Sequence, residues 1–398
     1  MMTYSFVPEA TSNADFQTEA FQKFKDLGFP TQANEDYKYL PLEELLGRNY
    51  KAVSSDSFSP TPVPESATVH GHAKAGRWEW NLAQAKTERT RLAEAFAPKS
   101  SFDALSVALC PDPQTLHFSQ SLSEPVYLRV DHGQGSEAVS APNLHVQLDP
   151  GVSVTLVITQ VGGSSESAGF DLSRWTYDIA DNANLEVLVI SQQANTQHRL
   201  SQHRLRLGEK SNADFCSLAL SGGIQYTDIE VLSEKEESTV GLRGLSLVTD
   251  SHIAIHRTYV ELTVPNLNSA QLFKNILFDA SRAEYSGTVH VHPNAMPVES
   301  DQMNRNLLLG TKARAYSRPQ LRIFADDVVC THGSSTSALS QDEEFYLESR
   351  GIEKQVAQQL LIRGFAEEGI VDEIQHEELA ALAKGLIQQR LSEINYGC

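Results

Sequence analysis

The spacing of turn signals constrains this chain more than any single motif does. They recur at Lys235, Asp250, Asn266, Asp279, Asn294, Gly310 and Asp326, with gaps of 15, 16, 13, 15, 16 and 16 residues. The stretches between such turns follow a period of two. In "GVSVTLVIT", Val152, Val154, Leu156 and Ile158 share one face while Ser153, Thr155 and Thr159 share the other, the pattern of a half-buried strand. Runs of the same kind lie at Leu185 to Ile190, Leu200 to Leu207, Val240 to Val248 and Tyr259 to Val264. No residue motif repeats, so the cadence itself is the signal. It describes a coiled stack of short strands, and both a parallel β-helix and a jelly roll fit it.

Helical patterns bracket this β-rich middle. In "NADFQTEAFQKFKDLGFP", Phe16, Ala20, Phe21 and Phe24 fall at helical spacing, and Gly28 and Pro30 form a stop. Ser54 to Ser66 is rich in Ser and Pro and reads as an exposed linker. Asn81 to Ala97 reads as a second helix. After Ser340 the chain turns helical again: Ser340 and Glu343 match a capping box in which each caps the other's backbone amide, and Gly351 suits the C′ position that closes that helix. The expected division is a helical region with its linker at 1–100, a β core at 101–339 and a helical region at 340–398. This last region holds twelve acids and five bases.

The charge balance narrows the partners. With 51 acids against 32 bases the net charge is −19, a poor match for nucleic acid or anionic lipid. No apolar run approaches the roughly 18 residues of a membrane span. The N-terminus lacks the basic-then-apolar layout of a secretory signal. The four cysteines, Cys110, Cys216, Cys330 and Cys398, are far apart and form no disulfide framework, which fits a reducing compartment. The cytoplasm or a plastid stroma is the expected setting.

Phosphate cradles are absent. "GEKS" (Gly208 to Ser211) and "LGTKA" (around Gly310 and Lys312) both fail the P-loop pattern, so ATP hydrolysis is not expected on this chain. His290 and His292 share one face of a strand and suit a metal by residue type. With no carboxylate or third histidine at a suitable sequence spacing, the plainer reading is preferred: Val289 and Val291 face the core and the histidines face solvent. His252 and His256 are expected to share a face in the same way. Asp326 and Asp327 could serve as paired carboxylates for glycoside cleavage, but adjacent strand residues point apart, and a pair of turn acids is the simpler account.

"ADDVVCTHGSS", Ala325 to Ser335, raises a sharper question. Leu321, Ile323 and Val329 look like interior residues, yet Cys330 and His332 follow on one strand face. A thiol and an imidazole so placed suit a soft or borderline metal, or a nucleophile and its base; a buried structural cysteine beside a satisfied histidine is the commoner case. An iron–sulfur cluster takes about four protein ligands. Cys-x-His supplies two at most, so a cluster here needs ligands from a second chain or from distant residues.

Longer stretches carry a resemblance. "SDQMNRNLLLGTKARAYSRPQLRIFADDVVCTHGSS", followed by "FYLESRGI" and preceded by "NSAQLFKNILFDASRAEYSGTVHV", resembles the SufB/SufD family of iron–sulfur cluster assembly proteins, on its SufD side. "GFPTQANEDYKYLPL" resembles the family's N-terminal helical region. The resemblance implies a mainly β chain with a right-handed parallel β-helix core flanked by N-terminal and C-terminal α-helical regions. It implies a non-catalytic scaffold subunit that pairs with a SufB-like subunit and docks a SufC-like ABC ATPase, with ATP hydrolysis on the partner. It places Cys330 and His332 at a transient iron–sulfur cluster, or its metal, at the SufB interface, with no cofactor held tightly. Phe345, Tyr346, Arg350 and Gly351 are the expected ATPase contacts, although both rings would equally suit packing onto the end of the β-helix. Removing residues 340–398 is expected to abolish docking and leave a folded β-rich body. Without its partner the chain is expected to form a homodimer through the same edge. The alternative is a standalone β-helix carbohydrate-active enzyme using Asp326 and Asp327.

Overall fold

A computed structural model of the chain describes residues 15–48, 50–52, 58–60, 79–80, 97–110, 113–132, 137–162 and 169–394. The expected helix at Asn81 to Ala97, save Ala97 itself, most of the Ser/Pro-rich linker and Cys398 lie outside them. In chain order the strands are β1 Lys51–Ala52, β2 Phe58–Pro60, β3 Glu79–Trp80, β4 Gln114–Phe118, β5 Val126–His132, β6 Ala138–Ser140, β7 Asn143–Leu148, β8 Ser153–Gly162, β9 Gly169–Ile179 and β10 Asn184–Gln193. They continue as β11 Gln197–Leu207, β12 Asn212–Ser221, β13 Ile224–Ser233, β14 Thr239–Val248, β15 Ile253–Leu262, β16 Leu267–Leu277, β17 Arg282–Val291, β18 Val298–Leu308, β19 Arg314–Ile323 and β20 Val328–Ser337. The strand expected at Tyr259 to Val264 starts earlier and stops at Leu262.

From β7 onward successive strands alternate between two sheets. One runs β19-β17-β15-β13-β11-β9-β7-β4-β3, and the other β2-β5-β8-β10-β12-β14-β16-β18-β20. From β4 onward every pairing within these two paths is parallel. This is a parallel β-helix, as expected. Register partners lie 26 residues apart at Arg199 and Gln225 and 32 apart at Arg282 and Arg314. The 13–16-residue cadence in the sequence is therefore half a coil, one strand and one turn. All seven turn signals fall at bends or turns between strands.

The turns stack as the strands do. Asn182, Lys210, Glu237 and Asn266 occupy the same corner in successive coils, each at φ between 54° and 60°. Left-handed backbone lets the chain reverse sheet in few residues, and Asn tolerates it best among residues with a Cβ. Backbone bonds join neighbouring turns: Asn182 N–H donates to Glu209 O (2.7 Å) and Lys210 N–H to Glu236 O (3.0 Å).

Both outer faces are covered, which explains why many strands are apolar on both sides. Beneath β8, Val154, Leu156 and Ile158 fill the lumen, but Val157 is also fully buried, on the outside. There it joins Leu188, Leu218, Leu245 and Ile276 against the C-terminal helices. The helices, in chain order, are α1 Asp15–Leu27, α2 Leu42–Leu46, α3 Ser101–Leu109, α4 Gln341–Ser349, α5 Lys354–Glu367 and α6 Glu377–Glu393. Ile362 and Ala366 of α5 and Leu379, Ala383 and Ile387 of α6 complete this layer. Each buried Leu or Ile in it contributes about 1.5–3 kcal/mol. The opposite sheet is covered by the N-terminal helices, with Phe24, Leu45, Phe102 and Leu105 over Phe170, Leu200 and Tyr226. Gly28 ends α1 as expected, at φ 66°.

Polar clamps fix these helices. Asp103 of α3 is buried and accepts from Arg174 Nε (2.6 Å) and Arg204 Nη2 (2.5 Å). Lys274, fully buried on β16, sends its ammonium to the C-terminus of α5, donating to Phe365 O (2.9 Å), Glu368 O (2.6 Å) and Glu368 Oε2 (3.2 Å). A cation at a helix C-terminus satisfies carbonyls that have no intrahelical donor. Among the described residues, no helix is long and apolar enough to cross a membrane.

Candidate functional site at the open end of the β-helix

The stack stops at β19 and β20. Each pairs with one neighbour, β17 and β18 respectively, and has no strand on its other edge among the described residues. The interior reading holds for Leu321, which is partly buried and packs against the inner core, and is corrected for two others: Ile323 is 36 % exposed, and Val329 is 65 % exposed on the outward face. Phe324 at the corner is 62 % exposed. Leu321 and Ile323 face the lumen, where no next coil lies above them among the described residues, whereas Val329 points outward like its exposed register partner Glu299.

Cys330 and His332 project from this last rung. Cys330 is half-buried and packs against the inner core beside Val328, while His332 is exposed. Their register partners on β18 are Ser300 and Gln302. Ser300 Oγ is buried without a hydrogen-bond partner, and the Gln302 side chain is fully buried two residues on. The lumen thus ends in polar groups directly beneath the thiol and the imidazole. Burial pushes the Cys330 thiol above its ordinary pKa, opposed by a backbone hydrogen bond from Ser300. The isolated chain therefore holds Cys330 as a thiol at neutral pH. An arriving metal or a partner's positive charge would be needed to produce the thiolate.

Asp326 and Asp327 form the turn between β19 and β20. Both are exposed, and their backbone N–H groups point at Met296 Sδ (3.3 and 3.5 Å). They are turn acids on an open corner, without the enclosure that a glycoside general acid needs.

Beyond β20 the chain enters α4. Ser340 Oγ accepts from the N–H of Glu343 (3.3 Å), one half of the expected capping box. At the other end Gly351 sits at φ 86°; its N–H donates to Glu348 O (2.9 Å) and that of Ile352 to Leu347 O (3.2 Å). These two bonds are those of a Schellman motif. No residue of α4 is buried. Phe345 is 72 % and Tyr346 58 % exposed, which overturns packing onto the end of the β-helix. Arg350 stacks on Tyr346, its guanidinium carbon 5.3 Å from the ring centroid. Val356 and Leu360 of α5 are also exposed and extend the apolar surface. A cleft of about 540 Å³ opens beside it, lined in part by Leu339, Glu343, Leu360 and Phe365.

The histidine pairs divide. His252 and His256 do not share a face: His252 precedes β15 in a turn, while His256 points into the lumen, where burial holds its pKa down to about 3. His290 and His292 do lie on the outside, and the fold supplies the carboxylate that the local sequence lacked. Glu261 on β15 is the register partner of His290, and its Oε1 lies 3.0 Å from His292 Nε2. Residues 29 and 31 apart in sequence meet because one coil intervenes, and only knowledge of the coil length could have revealed it.

The fold is thus a parallel β-helix with helix-covered flanks, an open end bearing a thiol and an imidazole, and an exposed helical hairpin. The family model described as "SUF system FeS cluster assembly, SufBD core domain" matches residues 131–365, and that of the SufBD N-terminal region matches residues 10–63. This chain belongs to the SufBD family of iron–sulfur cluster assembly proteins, and it is SufD-like. The iron-sulfur cluster assembly protein SufD of Escherichia coli is 26% identical over 97% of this chain and 95% of its own length. An iron-sulfur cluster assembly SufBD family protein of Mycobacterium leprae is 26% identical over 88% of this chain and 86% of its own. Protein ABCI7, chloroplastic, of Arabidopsis thaliana is 25% identical over 70% of this chain and 60% of its own.

Proposed function

We propose that this chain is a non-catalytic scaffold subunit of a SufBCD-type complex. Its open β19–β20 end pairs with a SufB-like β-helix subunit, its α4–α5 hairpin docks a SufC-like ABC ATPase, and Cys330 and His332 handle a nascent cluster, iron or sulfur at the first of these surfaces. No cofactor is held tightly by the chain alone, and the cluster is cargo. The cytoplasm or a plastid stroma is the proposed setting.

The observation that carries the reading is the unfinished rung. Exposed strand edges invite pairing with another chain unless they are blocked; β19 carries Arg314, Arg318, Arg322 and Pro319, but β20 holds no Lys, Arg, Asp or Glu and leaves Val329 exposed, with Phe324 exposed at the corner beside it. A homodimer through the same edge is the proposed state when the partner is missing. Removing residues 340–398 is no longer a clean test, because α5 and α6 cover Val157, Leu188 and Ile276 and their loss would expose that layer. Point changes on the rung are preferable. Val329→Glu is expected to abolish co-purification with a co-expressed SufB-like subunit while leaving ATPase docking intact. Undiminished pairing by Val329→Glu and by the double variant with Phe324→Asp would overturn the assignment of this edge.

A further inference from the structure

On the outer face of the β4-to-β19 sheet, one coil below the open end, three potential ligands converge from two strands. Glu261 lies near the end of β15, His290 near the end of β17, and His292 just beyond it. His292 Nε2 is 3.0 Å from Glu261 Oε1. The two imidazoles stack with centroids 4.4 Å apart and planes at 30°. One ligating atom from each of the three residues falls within 4.8 Å of the other two. We propose that Glu261, His290 and His292 bind a first-row divalent transition metal, Fe(II) among them, through two imidazole nitrogens and one carboxylate oxygen.

The geometry supports a site more than a surface ion pair. Metal–ligand bonds of about 2.0–2.2 Å put neighbouring ligand atoms about 3 Å apart. Glu261 and His292 already have that spacing, and His290, with its ligating atom within 4.8 Å of theirs, has to close by up to about 1.8 Å. Tyr259 Oη lies 2.9 Å from Nδ1 of His290, which leaves Nε2 for the metal and fixes the ring. Such a hydrogen bond to the second nitrogen is the usual support for a ligating histidine. Phe324 packs edge-on against the same ring at 5.6 Å. All three ligands are part-buried, so they are held in place yet reachable from solvent.

Ligand type selects the class of ion. Two imidazoles disfavour Mg(II) and Ca(II), which prefer all-oxygen shells, and the absence of a thiolate disfavours Cu(I). Two histidines and one carboxylate leave coordination positions open for water, the arrangement that suits Fe(II), Co(II), Ni(II) and Zn(II). The proposal rests on this coordination geometry and holds whether or not the chain pairs at its open end.

The test uses the full chain alone under anaerobic conditions, titrated with Co(II) and followed by visible absorption, with Zn(II) and Fe(II) as competitors. One Co(II) per chain is expected, displaced by either competitor. His290→Ala, His292→Ala and Glu261→Gln are each expected to weaken binding at least tenfold, whereas His252→Ala, in the turn before β15, leaves it unchanged. Circular dichroism confirms that each variant is folded; Glu261→Gln keeps shape and volume if an alanine variant does not fold. Absence of Co(II) binding, or binding that survives both Glu261→Gln and His292→Ala, would overturn the site. Binding lost with Cys330→Ala or His332→Ala instead would place the metal on β20 and equally overturn it.

Discussion

Phe345→Ala separates a docking anchor from a packing residue, because the structure leaves 72 % of Phe345 exposed. Taking about 200 Å² for a phenylalanine, roughly 145 Å² is open to a partner. At about 25 cal/mol per Å² its complete burial on docking would be worth about 3.5 kcal/mol. Alanine retains Cβ and coverage is seldom complete, so a loss of about 2–3 kcal/mol is expected, as for an interface anchor. At about 1.4 kcal/mol per decade this weakens the ATPase Kd about 30- to 150-fold. The same change should leave thermal stability untouched, since the ring touches no core cluster among the described residues. Ile362→Ala, on the neighbouring helix but only 1 % exposed, is the internal control and should cost about 2–5 kcal/mol of stability. Isothermal titration calorimetry against the purified ATPase and a urea unfolding curve read both quantities. If Phe345→Ala leaves Kd within twofold, or shifts the unfolding midpoint as Ile362→Ala does, the docking argument for α4 fails.

Three other outcomes follow from the same structure. Cys330→Ala and His332→Ala are each expected to keep the complex assembled and its ATPase active but to lower iron and sulfide per complex after anaerobic purification; parental cluster content in both would make Cys-x-His structural. Lys274→Ala removes the ammonium from the C-terminus of α5 and leaves Phe365 O and Glu368 O without that donor, at a cost of about 1–3 kcal/mol; faster hydrogen exchange confined to α5 and α6 is the expected readout, and unchanged exchange there would refute the clamp. Acid should destabilise the fold below about pH 6.5, because burial depresses the pKa of His145 and His256 to about 3 and of His198 to about 4. Each takes up a proton on unfolding but not in the fold, so each contributes stability above its unfolded pKa that is lost as pH falls toward the folded value, by up to about 1.4 kcal/mol per pH unit. Buried Asp171 and Asp228, with Glu284 raised to about 7, work in the opposite sense. The check is urea unfolding from pH 7 to 5 with His256→Gln, whose slope against pH should be shallower by about one proton.

Local chemistry made much of this protein legible in its sequence. The turn cadence marks every strand boundary from Lys235 to Asp326, because chain reversal demands particular residues wherever it occurs. Ser340 and Gly351 announce the ends of α4 for the same reason: capping depends on residues within one helical turn. The alternation of Val154, Leu156 and Ile158 gives the inner face of β8. Motif content around Cys330 and His332 carries the family. Tertiary structure decided the rest, because it depends on what lies one coil away. Coil length brings Glu261 to His290 and His292, a meeting that no local spacing shows. The same parity that sends His256 into the lumen leaves His252 in a turn, because the strand begins between them. Ile323 faces the lumen yet is exposed, since burial there requires a next rung and none follows β19 among the described residues, whereas Val329 faces outward like its exposed register partner Glu299.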